Sequence, residues 1–119
     1  MQEFFTRQLA NEGKELPLYL PSGEKSEHKI RVLGVDSDKF KSKEAESKKI
    51  AAELAALDDN EERRVAIEDL QLKLIATLVI GWTFDQECTE ENVVNFLREA
   101  PQIADAINRF AGNRKAFFS

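Results

Sequence analysis

The chain has little of what builds a disulfide scaffold, a metal site or a turn-rich β-fold: one cysteine, one histidine, three prolines and five glycines in 119 residues. A lone Cys88 excludes a disulfide framework or a cysteine-built zinc site within one chain, and such a thiol suits a reducing, cytoplasmic setting. His28 lies in the polar turn region of a hairpin with no ligand-like companion at usable spacing, so it reads as a surface or edge-strand residue. The glycines are scattered, which leaves no phosphate-cradling loop. Asp58-Asp59 followed by Glu61-Glu62 lacks the alternating acidic pattern of a calcium loop and reads as a helix cap with a solvated turn. Long apolar runs are also missing, since Leu74 to Trp82 falls far short of the roughly 20 residues of a membrane span. The start, MQEFFTRQL, has no basic region followed by an apolar one, so it does not read as a signal peptide. Neither a nucleophile beside a base nor paired carboxylates in a cleft can be assembled, and the expectation is of no catalytic residue, no cofactor and no metal.

What the chain does have is charge and aliphatic side chains, 33% and 42% of residues counting all hydrophobic types. A chain of this length buries roughly two-thirds of its unfolded surface as one compact domain, here 1–119. The charge is uneven: residues 1–49 carry ten basic and nine acidic groups, and residues 50–119 carry seven and thirteen. A body of that sign repels phosphate backbones, so nucleic acid is not an expected partner.

The periodicity changes along the chain. Leu16, Leu18 and Leu20 alternate with Pro17, Tyr19 and Pro21, and Ile30 and Val32 alternate with Arg31 and Leu33, which predicts two strands in a hairpin region over 14–35. Pro21-Ser22-Gly23 supplies the turn, and the prolines confine the first strand to an edge. A helical body over 37–117 follows. Asp36, Ser37 or Asp38 caps a helix over 37–57, whose first half, KFKSKEAESKK, is charged on nearly every side. A cap at Leu57-Asp58-Asp59-Asn60 opens a helix over 61–82, read as the central and most buried one, with Ile67, Leu70, Leu74 and Leu78 on one stripe and Val65, Leu72, Ile75, Val79 and Trp82 widening it. That surplus of apolar positions serves either the core or a contact with another chain. Thr89 caps the next helix, whose Val93, Val94, Phe96 and Leu97 face inward. Ala100-Pro101 divides it from the last helix, striped by Ile103, Ala104, Ile107, Phe110 and Ala111 and stopped near Gly112. The predicted fold is therefore mainly α, with four to five helices and a short N-terminal β-hairpin, at the margin of α+β.

The end of the sequence holds Phe117 and Phe118 beyond Gly112 and behind Arg114 and Lys115. Either both rings pack into the domain, or they dock on a partner as exposed apolar groups do. Phe4 and Phe5 raise the same question. Trp82, Phe110, Arg114, Phe117 and Phe118 are the candidate partner-binding residues.

From Leu72 onward, through LIATLVIGWTFDQECTEENVVNFLREAPQIADAINRFAGNRKAFF, the chain resembles the tail assembly chaperones of long, non-contractile-tailed bacteriophages. The matching features are the apolar segment leading to Trp82, Phe84, the T-x-E-N start at Thr89 to Asn92, the apolar run before Pro101, and the Ile107, Phe110, Ala111, Arg114, Phe117 ending. Upstream, Val32 to Ser37 as V-x-G-x-D-S is also similar. The resemblance implies a protein that keeps the long tape-measure protein soluble and extended in the host cytoplasm and is absent from the mature virion. It also implies a frameshifted longer product that recruits the tail tube protein, with this chain as the short, abundant product. Repetition of a small chaperone along a rod favours weak head-to-tail self-association. The rival reading is a small helical DNA-binding regulator of phage or plasmid origin, with Ala100-Pro101 as the turn of a helix-turn-helix; the recognition helix QIADAINRF, however, offers only Arg109 as a base-reading cation and contains Asp105.

One expectation is readable in the gene. Phe117-Phe118 encoded as TTT-TTT and preceded by an Ala116 codon ending in thymine would make a seven-base slippery stretch, and sequencing the DNA checks it: codons that interrupt the thymine run remove this slip site.

Overall fold

The computed structural model describes residues 1–118. A 3₁₀ turn at Gln2–Phe4 leads into α1 (Arg7–Glu12), followed by β1 (Lys14–Tyr19), β2 (Lys25–Val32), α2 (Asp38–Leu54), α3 (Asn60–Ala76), β3 (Val79–Trp82), α4 (Glu90–Glu99), α5 (Pro101–Gly112) and a second 3₁₀ turn at Arg114–Phe117. Five helices and a three-stranded antiparallel sheet in the order β1-β2-β3 agree with the expected mainly α, marginally α+β class.

Alternation decides which face of the sheet is covered. Ile30 and Val32 of the middle strand are buried while Lys29 and Arg31 point to solvent, as a half-buried strand requires. Leu16 pairs with Ile30 across the hairpin, and the register shifts between Pro17 and Tyr19, where a proline on an edge strand is tolerated because its missing donor faces outward. Gly23, at φ 95°, closes the connection, with its amide donating to the Leu20 carbonyl at 2.8 Å. On the outer face Arg31 donates to the carbonyls of Glu12 (3.0 Å) and Gly13 (3.1 Å), placing a cation on the last carbonyls of α1.

The helices start where local chemistry allows. Ser37 Oγ accepts from the Phe40 amide, Asp59 from the Glu62 amide and Thr89 from the Asn92 amide, each satisfying a donor that the first helical turn leaves open. Pro101 occupies the first turn of α5.

Three expectations fail. The apolar helix expected to reach Trp82 stops at Ala76, and Val79–Trp82 instead joins the sheet, pairing Ile30 with Trp82 and Val32 with Val79. A run that is apolar on every side has no period to separate buried helix from buried strand, and β-branched Val79 and Ile80 with aromatic Trp82 suit the pleat. For the same reason α3 is not the most buried helix. Ala76 is its one buried residue, whereas α4 buries Val93, Val94 and Leu97, and α5 buries Ile103, Ala104, Ile107 and Ala111. These side chains join Leu18, Ile30, Val32, Leu78 and Val79 in one cluster, so α4 and α5 roof the sheet. His28, finally, lies within the middle strand and not in the turn or on an edge strand, although its side chain remains partly exposed beside Thr83.

The segment after β2 crosses between elements. Leu33 donates to the Leu78 carbonyl, Gly34 to Ala10 and Val35 to Ala111, at 2.8, 3.1 and 3.0 Å. A Cβ on Gly34 would lie 2.8 Å from the Ala10 Cβ and 3.5 Å from the Phe117 ring. Gly34→Ala is expected to destabilise by about 1–3 kcal/mol through overpacking, read as a lower denaturation midpoint with an unchanged slope; an unaltered midpoint would show that α1 moves aside without cost.

Candidate functional site

Residues able to carry chemistry are dispersed. His28 Nδ1 lies 3.0 Å from Thr83 Oγ1, and its ring rests on Phe84 at a centroid distance of 4.5 Å. Cys88 is half-buried, and burial pushes its thiol up, away from the reactive thiolate. Among the described residues no group of three or more His, Cys, Asp or Glu side chains is placed to hold a metal ion, and no helix is long and apolar enough to cross a membrane.

Concave apolar surface is what the fold offers instead. The larger groove, about 950 Å³, runs between α3 and the α4–α5 corner. Its floor includes Val65, Leu72 and Ile75 from α3 and Leu97, Pro101 and Ala104 from the corner. Val65 is 52% exposed although it is a large aliphatic residue. Carboxylates rim this floor: Glu61, Glu62, Glu68 and Asp69 on α3 and Asp105 on α5, against the single lining cation Arg98. Arg64, outside the lining, bridges Glu61 and Glu68, and Arg98 and Lys73 both reach Asp69 at 3.0 Å. Among the described residues Glu62 and Asp105 carry no ion pair. A second groove, about 540 Å³, lies between the hairpin and α5, with Leu16, Leu20, Pro21, Ile103 and Phe110 in its wall.

The sequence candidates fall into two places. Trp82 stacks edge-on against Phe84 and Phe96 at 5.1 and 5.9 Å, and its Nε1 donates to the Gln86 carbonyl at 2.7 Å, which holds the loop after β3. Phe110 borders the second groove and meets the Phe117 ring at 5.2 Å. Arg114 donates twice to Asp36, at 2.6 and 2.8 Å. That guanidinium holds the Asp36 carboxyl below its ordinary range, outweighing the slight burial that opposes it. Phe117 is 8% exposed and packs inward, while Phe118 is 51% exposed. Phe110, Arg114, Phe117 and Phe118 thus share the end of the molecule near α1; Trp82 belongs to the separate ring cluster. Phe4 and Phe5 are exposed.

The larger groove was not read as a site in the sequence. Its signal was the apolar surplus of the helix expected over 61–82, of which Val65, Leu72 and Ile75 line the groove while Val79 and Trp82 go to the sheet.

These features define a class: a small α+β protein with apolar clefts on its surface and, among the described residues, no cluster placed to hold a metal ion. A family model described as phage tail assembly chaperone matches residues 14–111, and the chain belongs to that family. The matched span opens on the first residue of β1 and closes one residue before the end of α5, so it encloses the larger groove. No curated protein and no solved structure is a match for the chain.

The two terminal rings separate by substitution. Phe117→Ser is expected to cost about 3 kcal/mol, as removal of a buried ring does, whereas Phe118→Ser should leave the melting temperature within about 2–3 °C. Thermal melts of the two variants check this, and equal losses would place both rings in the core.

Proposed function

We propose that this protein acts in tail morphogenesis by binding the tape-measure protein and keeping it soluble until tail tube subunits enclose it. Membership of the tail assembly chaperone family supports a role in tail assembly. The observation that carries the finer reading is the larger groove, whose α3 wall from Glu61 to Ile75 extends about 21 Å, or four helical turns. A tape-measure protein presents apolar helix faces over a great length, and a groove of this kind covers one such face in helix-in-groove fashion. The role needs no covalent step, so the protein is read as non-catalytic. It works in the host cytoplasm and leaves before the virion matures.

In the same reading, a longer product of the frameshifted gene recruits the tail tube protein, and weak self-association spaces copies along the rod. Phe118 and the borders of the second groove, including Phe110, are secondary contact points. Arg114 and Phe117 hold that end in place, and Trp82 shapes the β3–α4 wall. A DNA-binding role is not favoured: α5, the would-be recognition helix, borders an acid-rimmed groove and carries one arginine.

Co-expression tests the proposal. Tape-measure protein made alone is expected to be largely insoluble, and co-expression with this chain to raise its soluble fraction several-fold and allow co-purification. Unchanged solubility with both proteins present removes the tape-measure reading while leaving family membership intact.

A further inference from the structure

We infer that the groove between α3 and the α4–α5 corner selects a basic amphipathic helix, one whose apolar stripe is flanked by lysines or arginines. This inference rests on the reading of that groove as the partner site and adds the chemistry by which it chooses.

The floor supplies attraction without selectivity. Val65, Leu72, Ile75, Leu97 and Ala104 present aliphatic surface that any apolar helix face would cover, and apolar burial is indifferent to sequence beyond size. The rim supplies the choice. Five carboxylates face one guanidinium, and Asp69 already satisfies that guanidinium. Part of the acidity is answered within the chain, because Arg64 spans Glu61 and Glu68 and Lys73 joins Asp69. Glu62 and Asp105 are left, one on α3 and the other on α5. A helix lying between them with basic residues beside its apolar stripe meets both, whereas an acidic helix adds like charge on either side, which costs affinity and slows encounter.

A second copy of this chain is the weaker occupant. Its basic helical surface is on α2, where Lys39, Lys41, Lys48 and Lys49 are exposed, but the exposed residues between them are serine, alanine and glutamate. The exposed large apolar residues, Met1, Phe4, Phe5, Tyr19, Leu20, Val65, Ile80 and Phe118, all lie outside α2. On α2 the cations come without apolar anchors, and the cation beside exposed Val65 on α3, Arg64, is already taken by Glu61 and Glu68, whereas the groove asks for free cations and apolar anchors on one helix.

The test uses the full chain and three synthetic helical peptides of equal length: leucine stripe with lysine flanks, the same stripe with glutamate flanks, and lysine flanks with serine in the stripe. Binding is measured by calorimetry, and the site is mapped by amide shift changes in ¹⁵N-labelled protein. The leucine–lysine peptide is expected to bind with changes centred on Val65, Leu72, Ala104 and Asp105, and at least about tenfold tighter than either control. The double variant Glu62→Gln with Asp105→Asn should weaken it roughly threefold to thirtyfold and flatten its salt dependence, while Glu53→Gln with Asp85→Asn, at exposed acids outside the groove, should not. Val65→Gln, which removes the aliphatic surface without adding charge, should weaken binding without lowering the melting temperature appreciably.

Equal affinity for the leucine–glutamate peptide overturns the inference, as do shift changes located away from the groove. Sedimentation showing self-association that Val65→Gln abolishes, with no peptide binding, assigns the groove to a second copy and also overturns it. Loss of tape-measure solubilisation in cells alongside groove-specific peptide binding would instead sink the proposed function and leave this inference standing.

Discussion

The crossing segment from Leu33 to Ser37 is the constraint on which the rest of the fold depends. Its backbone is buried, and buried amides need partners. Leu33 finds one at Leu78 just before β3, Gly34 at α1 and Val35 at the end of α5, so three remote parts of the chain are joined within three residues. Ser37 then caps α2. The V-x-G-x-D-S pattern has a reason at several of its positions: Val32 is fully buried in the core, Gly34 leaves room for Ala10, Asp36 receives Arg114 and Ser37 caps a helix.

From that crossing point the molecule divides its labour. The sheet covers one face with α4 and α5, and the fully buried Ile30, Leu78, Leu97, Ile107, Val32 and Val93 form the centre of this contact; such side chains are each worth about 1.5–3 kcal/mol when removed from water. The α2–α3 pair contributes few buried residues, Phe40, Ser47 and Ala76, and leaves aliphatic surface at Val65 open. Burial is concentrated where the sheet meets α4 and α5, while exposed apolar side chains are spread over the N-terminus, the hairpin, Val65, Ile80 and Phe118.

The terminal turn follows the same logic. Arg114 on Asp36 and Phe117 against Phe110 anchor the turn after α5, so the exposed ring of the pair is Phe118 alone. The acidity read across residues 50–119 also acquires a location, since five of those carboxylates rim the larger groove.

Local chemistry was legible in the sequence. A cap among Asp36, Ser37 and Asp38, another within Leu57 to Asn60, the Thr89 cap, the proline opening α5, the Pro21-Ser22-Gly23 connection and the stripes of α4 and α5 each depend on residues within a turn or two of one another, so the chain carries them without reference to its fold, which selects Ser37 and Asp59. Nonlocal choices belonged to the tertiary structure. Whether Val79–Trp82 continued a helix or joined a sheet depended on the open edge of β2, some fifty residues upstream. Whether Phe117 packed or protruded depended on the space beside Gly34, and whether Val65 met the core or solvent depended on where the α4–α5 corner came to rest. An apolar side chain records that it prefers to leave water; only the assembled fold decides which neighbour covers it.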